Sequence, residues 1–284
     1  MPKWTNRHGI DPAIAQAVMN DDYELVGDIS VTGLIRPPQI AALEAQYGEQ
    51  VEQDVSDGLW RLLGQSMHQV LQTGRLAGAI QEKRLVVEVN GWKVSGAFDI
   101  YYDDSNTIKD FKVTSVWSYI FGGRAEWQAQ VNLYAYLAEQ NGIQVDELKI
   151  VMLLRDWNKS GLNGNADYPT IPFVEVGISK WPSEFTQRFL EERVTLHQSA
   201  REGNYGPCTD DERWAQPETW AVQKVGAKRA WRVFKNMEDA VSLAGRAKGY
   251  TVEHRPGKNV RCEGGYCPVA RFCEQAKELG VVVE

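Results

Sequence analysis

An α/β protein with a mixed sheet, carrying a small cysteine-clamped module at its C-terminal end, is predicted by three features of this 284-residue sequence. A hairpin pattern of two short strands lies near the middle of the chain. Strand and helix patterns then alternate, which layers helices on a sheet. All four cysteines, Cys208, Cys262, Cys267 and Cys273, fall in the last third. With 43% hydrophobic and 24% charged residues, the composition is that of an ordinary globular protein. The length allows one substantial core and a smaller appended module. The expected division is 1–205 for the core and 206–284 for the module.

Taken in order, Pro12 to Asn20 reads as a first short helix. The pair Pro37-Pro38 opens a helix from Gln39 to Tyr47, since proline suits a first helical turn. Glu49 to Leu71 reads as continuing helix with a break near Gly58, its apolar side made by Val55, Leu59, Leu62 and Leu63. Leu85-Val-Val-Glu-Val alternates as a strand, with Glu82 at its start. Val94 to Tyr101 also alternates, placing Val94, Gly96, Phe98 and Ile100 on one face and Asp99 on the other. The polar turn Asp103 to Asn106 returns the chain as a strand from Thr107 to Val113. Glu126 to Gln140 is an amphipathic helix with Trp127, Val131, Leu133 and Leu137 inward. Leu148 to Leu154 is apolar enough for a strand buried on both faces. Arg155 to Pro169 is a polar loop of the length that serves flexible substrate contacts. Phe173 to Ile178 is a strand and Trp181 to Arg201 a long helix, with Phe185, Phe189, Leu190 and Val194 inward. Strands at 220–224, 230–234 and 250–255 and a helix at 238–248 fill the module.

The central hairpin carries the chemistry. Ile108, Asp110 and Lys112 point one way from their strand, so the turn can bring Asp99, Asp110 and Lys112 into one cleft. Two carboxylates there repel unless a cation lies between them, and hard oxygen ligands suit magnesium or manganese. A neighbouring lysine can orient a metal-activated water or offset charge on a phosphate. On the adjacent helical patterns Gly64 shares a face with His68, and Gln130 with Tyr134.

The whole chain carries a net charge of −7, an unpromising balance for a nucleic-acid protein. Its distribution is uneven. Between Arg213 and Arg261 eleven Lys and Arg face four Asp and Glu, a local +7 suited to phosphates. The close trio Cys-x4-Cys-x5-Cys, with Cys208 upstream, points to a metal site because disulfides are rare in a reducing compartment. Four thiolates suit either tetrahedral zinc or a [4Fe–4S] cluster. No apolar run approaches the ~20 residues of a membrane helix, and the first residues lack a secretory apolar segment, so the expected compartment is the cytoplasm.

In this order, Gly64-x3-His68, Glu82, Gly96-x2-Asp99, Asp110-Phe111-Lys112 and Gln130-x3-Tyr134 resemble the RecB-like branch of the PD-(D/E)XK nuclease superfamily. The resemblance spans about Val31 to Leu154 and implies a restriction-endonuclease-like core flanked by helices. It implies a metal held by His68, Asp99, Asp110 and the Phe111 carbonyl, with Lys112 catalytic, Glu82 assisting, and Gln130 and Tyr134 contacting DNA. The ending Cys267-Pro-Val-Ala-Arg-Phe-Cys273 is similar to the iron–sulfur exonucleases of the AddB-type and CRISPR-associated RecB-like groups, which favours a cluster over zinc. Two features depart from that pattern: Cys208 follows the core where the family's distant cysteine precedes it, and the trio opens with a longer gap. The implied activity is metal-dependent exonucleolytic digestion of single-stranded DNA or duplex ends. A recombination-protein partner and a phage or mobile-element setting go with it. A non-catalytic, cluster-stabilised DNA-binding subunit and a structure-selective endonuclease are the alternatives.

Overall fold

The computed structural model describes residues 2–20, 24–74, 76–123, 125–163, 167–246 and 248–281. The chain divides into two compact units, Met1–Arg36 with Glu52–Asn204, and Pro37–Val51 with Tyr205–Glu284. The segment 37–51, expected with the core, therefore packs with the C-terminal residues.

The first unit opens with β1 (Lys3–Thr5), α1 (Pro12–Met19), β2 (Ile29–Ser30) and α2 (Val31–Ile35). Asp11 caps α1 by accepting from the Ala13 amide, and Ser30 caps α2 through Gly33. After α3 (Pro38–Tyr47), which belongs to the second unit, comes β3 (Glu52–Asp54), where continuous helix was expected. Asp54 is the reason. Its carboxylate accepts from the amides of Arg7 and Ser56 and from the Thr5 hydroxyl. These bonds pair β3 in parallel with β1 and start a new 3-10 turn at Val55. The helix α4 (Leu59–Thr73) begins only after that turn.

Next come β4 (Ala79–Gln81), β5 (Arg84–Val89), β6 (Trp92–Ala97), β7 (Ile100–Tyr102) and β8 (Thr107–Thr114). The run 94–101, expected as one strand, is two. β6 pairs with β5 and β2 in a three-stranded sheet, whereas β7 joins a five-stranded sheet of order β10-β9-β8-β7-β4. The break falls at Phe98 and Asp99, and Phe98 is wholly buried there. The expected hairpin is present, with Ile100 opposite Lys109 and Tyr102 opposite Thr107.

The five-stranded sheet is completed by β9 (Glu147–Leu154), parallel to β8, and β10 (Phe173–Ile178), antiparallel to β9. Its mixture of parallel and antiparallel pairs, with helices packed on it, makes the fold α/β with a mixed sheet. Between β8 and β9 run the short α5 (Val116–Ile120) and α6 (Ala125–Gln140). Nine of the sixteen residues of α6 are buried, Gln130 and Asn132 included, so the helix is a core element and not an amphipathic surface one. The loop after β9 is pinned: Trp157 Nε1 donates to the Pro169 carbonyl and the Asn158 amide to the Tyr168 hydroxyl. Residues 164–166 of that expected flexible loop lie outside the described residues. The long α7 (Ser183–Arg201) buries Leu190 and Val194, but Phe185 is exposed, its ring edge-on to Trp181.

In the second unit α3 is followed, after residue 205, by α8 (Asp210–Arg213), β11 (Ala215–Gln216), β12 (Thr219–Lys224), β13 (Arg232–Phe234), α9 (Met237–Gly245), β14 (Tyr250–Arg255), β15 (Lys258–Asn259), α10 (Val260–Glu263) and α11 (Glu274–Glu278). β12 is the centre of a three-stranded antiparallel sheet between β13 and β14. Its core gathers Ile40, Leu43 and Val51 with Cys208, Val269, Cys273 and Ala276. Residue 247 of the expected helix 238–248 lies outside the described residues. No helix among the described residues is long and apolar enough to cross a membrane.

Candidate metal-dependent active site and cysteine pocket

The polar residues singled out in the first unit converge where α4, β4, β7, β8 and α6 pack. The sheet break leaves Asp99 off any strand, so its carboxylate turns across to β8, where Oδ2 accepts from the Phe111 amide at 2.5 Å. The Glu82 amide donates to the Asp99 carbonyl at 3.0 Å. Glu82 itself has φ of 50°, a left-handed conformation that non-glycine residues adopt rarely and chiefly where surroundings impose it. On the other side Gln81 Nε2 donates to the Leu71 carbonyl and fastens β4 to the end of α4. That fastening sets His68 against Glu82 and Asp99.

His68 Nδ1 lies 3.4 Å from Asp99 Oδ1 and 3.7 Å from Glu82 Oε1. Among the described residues these form the one group of three His, Cys, Asp or Glu donors whose ligand atoms all lie within 4.8 Å of one another. Interaction with Asp99 first, and with Glu82 second, pushes the His68 pKa up to about 10 against the opposing effect of burial. Without a metal, then, His68 is an imidazolium that offsets one of the two carboxylate charges and leaves a net charge of −1.

Asp110 stands outside that triple and is held differently. It is 1% exposed, and burial raises its pKa, with Lys112 opposing the shift. Lys112 Nζ lies 2.7 Å from Asp110 Oδ2. The approach is off-axis, so this buried oxygen still lacks a hydrogen-bond partner. Lys112 donates to Gln130 Oε1 at 3.0 Å, and Gln130 Nε2 donates to the Tyr134 hydroxyl at 2.8 Å.

Gln130 and Tyr134, expected beside the cleft as DNA contacts, are 8% and 6% exposed. Their polar atoms are committed to the chain that holds Lys112, because α6 is buried nearly all round. Burial also raises the Tyr134 pKa, keeping the phenol neutral. Gly96 has a packing role: a Cβ there would stand 2.9 Å from both the Tyr134 ring and Val31. Gly64 has open space where a Cβ would go. Phe111 contributes through its amide to Asp99. That link was not visible in the sequence, since it depends on the sheet break.

The donor set suits a hard divalent cation. Two carboxylates and an imidazole converge, and the buried Asp110 carboxylate, whose counter-charge is the Lys112 ammonium 2.7 Å away, adds a third hard oxygen donor nearby. Imidazole must lose its proton to ligate, so binding a cation here would release one.

The second unit holds the four cysteines, all free thiols, along one cavity with Gln39, Ile40 and Leu43 of α3. The Cys208 amide donates to Gln39 Oε1 at 3.0 Å and to Gln275 Oε1 at 2.9 Å. The Gln275 amide in turn donates to the Cys208 carbonyl at 2.9 Å. Burial pushes the Cys208 thiol up to about 12 and Cys267 up to about 11, and raises Cys262. Such thiols are unreactive unless a metal replaces their protons. No three of the four sulfurs come within 4.8 Å of one another.

No protein-family model matches the sequence, and no curated protein matches it. Solved structures share part of the architecture. One is the protein SSO0001, 18% identical with a TM-score of 0.43 over 64% of this chain and 82% of that one. Another is a phage-related exonuclease from Haemophilus somnus 129PT, 16% identical with a TM-score of 0.39 over 64% and 95%. A third is a provisionally named exonuclease from Eubacterium rectale, 12% identical with a TM-score of 0.32 over 50% of each chain. None reaches a TM-score of 0.5, so the chemistry rests on the side chains themselves.

Proposed function

We propose that the chain is a divalent-metal-dependent deoxyribonuclease that hydrolyses phosphodiester bonds, acting from DNA ends. The observation that carries this reading is the convergence of His68, Glu82 and Asp99 beside the buried Asp110 carboxylate, whose Oδ2 has the Lys112 ammonium 2.7 Å away. His68, Glu82, Asp99 and Asp110 would hold magnesium or manganese. A bound ion supplies polarisation of the phosphate and a water of lowered pKa. Lys112, aimed by Asp110 and Gln130, offsets the negative charge that develops on the phosphate oxygens. Tyr134 and Gln130 keep that ammonium from swinging away. The Phe111 amide keeps Asp99 turned toward His68.

Digestion of end-labelled single-stranded and duplex DNA in manganese, with chelator as control, tests the reading. Release of short products from linear but not covalently closed DNA is expected. Cleavage of closed circles would make the enzyme an endonuclease, and no chelator-sensitive cleavage of any substrate would overturn the assignment.

In the same reading the four cysteines hold a [4Fe–4S] cluster with a structural role. Their spacing supports it. Zn–S bonds of about 2.3 Å at tetrahedral angles bring all four thiolates to within about 4 Å of one another, closer together than any three of these sulfurs lie. A cubane of iron and sulfide keeps them further apart.

A further inference from the structure

A cavity of about 250 Å³ in the first unit adjoins the candidate active site on the same face of the sheet. The strand registers fix this placement. Asp110 lies beside Ile150 and Lys112 beside Met152 on β9, while Ile150 lies opposite Val176 on β10. Residues in register point to one side of a sheet. The cavity floor of Ile150, Met152 and Val176 is therefore one and two strands over from Asp110 and Lys112, about 5 and 10 Å. Its roof is the first turn of α6, where Trp127 and Gln128 precede Gln130, the residue bonded to Lys112.

The lining is that of a site for a flat, partly polar ring. A cavity of about 150 Å³ admits benzene, so 250 Å³ admits a larger heterocycle. The floor is aliphatic, Trp127 and Tyr119 supply aromatic surface, and the Gln128 amide offers both a donor and an acceptor. Gly122 and Gly123, with φ of 86° and 75°, turn the chain at the wall without side chains. Two residues to either side of Tyr119 in the chain, Trp117 and Phe121 stack at 5.9 Å between ring centroids, and both are more than half exposed. Exposed aromatic pairs of this kind stack bases of single strands.

We infer that this cavity takes one unpaired nucleobase of the substrate strand, with the next base stacking on Trp117 and Phe121, so that the substrate is single-stranded DNA. The inference rests on the nuclease reading for its substrate. A base still paired in a duplex is unavailable to such a pocket unless it is extruded.

The test is a scan of single abasic positions through the end region of a labelled single-stranded oligonucleotide. Cleavage is measured in manganese, and binding in chelator by fluorescence anisotropy. Wild-type protein should lose roughly tenfold in KM and in affinity at one position. Val176→Phe, which fills the cavity, should lose the same factor on the intact strand and become indifferent to that abasic position. It should hydrolyse bis(4-nitrophenyl) phosphate, a diester without a base, at the wild-type rate. Uniform tolerance of abasic positions by the wild-type protein would overturn the pocket, with no variant needed. So would equal digestion of blunt duplex and single strand. Failure to hydrolyse either substrate, with a position-specific loss of binding intact, would sink the nuclease reading and leave the pocket standing.

Discussion

The two sites of this chain are built from opposite chemistry. In the first unit, hard donors from α4, the turn after β4 and the β6–β7 break crowd within 4.8 Å, partly exposed and mutually charged. In the second, soft sulfur donors sit at the edge of an apolar core, spaced more widely, and burial holds the protons of Cys208, Cys262 and Cys267. A cleft meant to exchange water and substrate cannot be sealed, whereas a structural centre gains from being so. On the proposed reading, charge more than sequence spacing distinguishes the catalytic site from the structural one. Carboxylates in excess over their cationic neighbours suit a cation that binds and turns over, and half-buried to buried thiols suit permanence.

Breaking the first site should have the largest effect. Asp99→Ala, Asp110→Ala and Lys112→Ala should each cut DNA cleavage by at least 10²–10³-fold while leaving thermal unfolding cooperative. Near-wild-type turnover in any of them would remove that residue from the active site.

The second site should respond through stability. If the four cysteines hold the proposed cluster, Cys208→Ala should lose it and open the unit of 37–51 and 205–284 to proteolysis, while residues 52–204 stay resistant, because ligation then contributes directly to folding. Anaerobically purified wild-type protein should be brown, with iron and sulfide near four each per chain. Colourless protein with about one zinc would keep the site and change the metal.

Packing behind the first site is the next lever. Gly96→Ala places a methyl group 2.9 Å from Tyr134 and Val31. It should destabilise by about 1–3 kcal/mol, read as a lowered melting temperature, and should displace the Gln130–Lys112 link enough to slow cleavage. An unchanged melting temperature would show that the helix shifts freely.

Proton linkage sharpens the contrast further. The folded pKa of His68, about 10, lies above the unfolded value of about 6.5. In metal-free protein its contribution to stability is therefore complete below pH 6.5 and is lost as pH rises toward 10. Melting in chelator should show the gap between wild type and His68→Gln narrowing over that range. A constant gap would mean that the imidazole carries no extra proton.

The smallest effect concerns the exposed Lys228, Arg229 and Arg232 around the β12–β13 turn. Replacing all three should lower the log–log salt slope of DNA binding by roughly 2 to 3 units. An unchanged slope would make them ordinary solvated surface.

The sequence alone determined a good deal. Period-two alternation and the turn at 103–106 located the hairpin, because side-chain alternation and turn chemistry are local. The apolar run 148–154 marked the strand that ends up between two neighbours, and the spacing of the cysteines marked their pocket. What alternation cannot show is which sheet a strand joins. Only the tertiary structure decided that 92–102 splits between two sheets, and that split frees Asp99 to reach the Phe111 amide. It likewise decided that the middle of α6 is buried nearly all round, which commits the polar atoms of Gln130 and Tyr134, expected as DNA contacts, to the chain that ends on Lys112. Residues 37–51 read as any short helix, and their partner core comes from chain more than 150 residues away. Local sequence sets local conformation, but burial depends on what folds against it, and that is fixed only when distant segments meet.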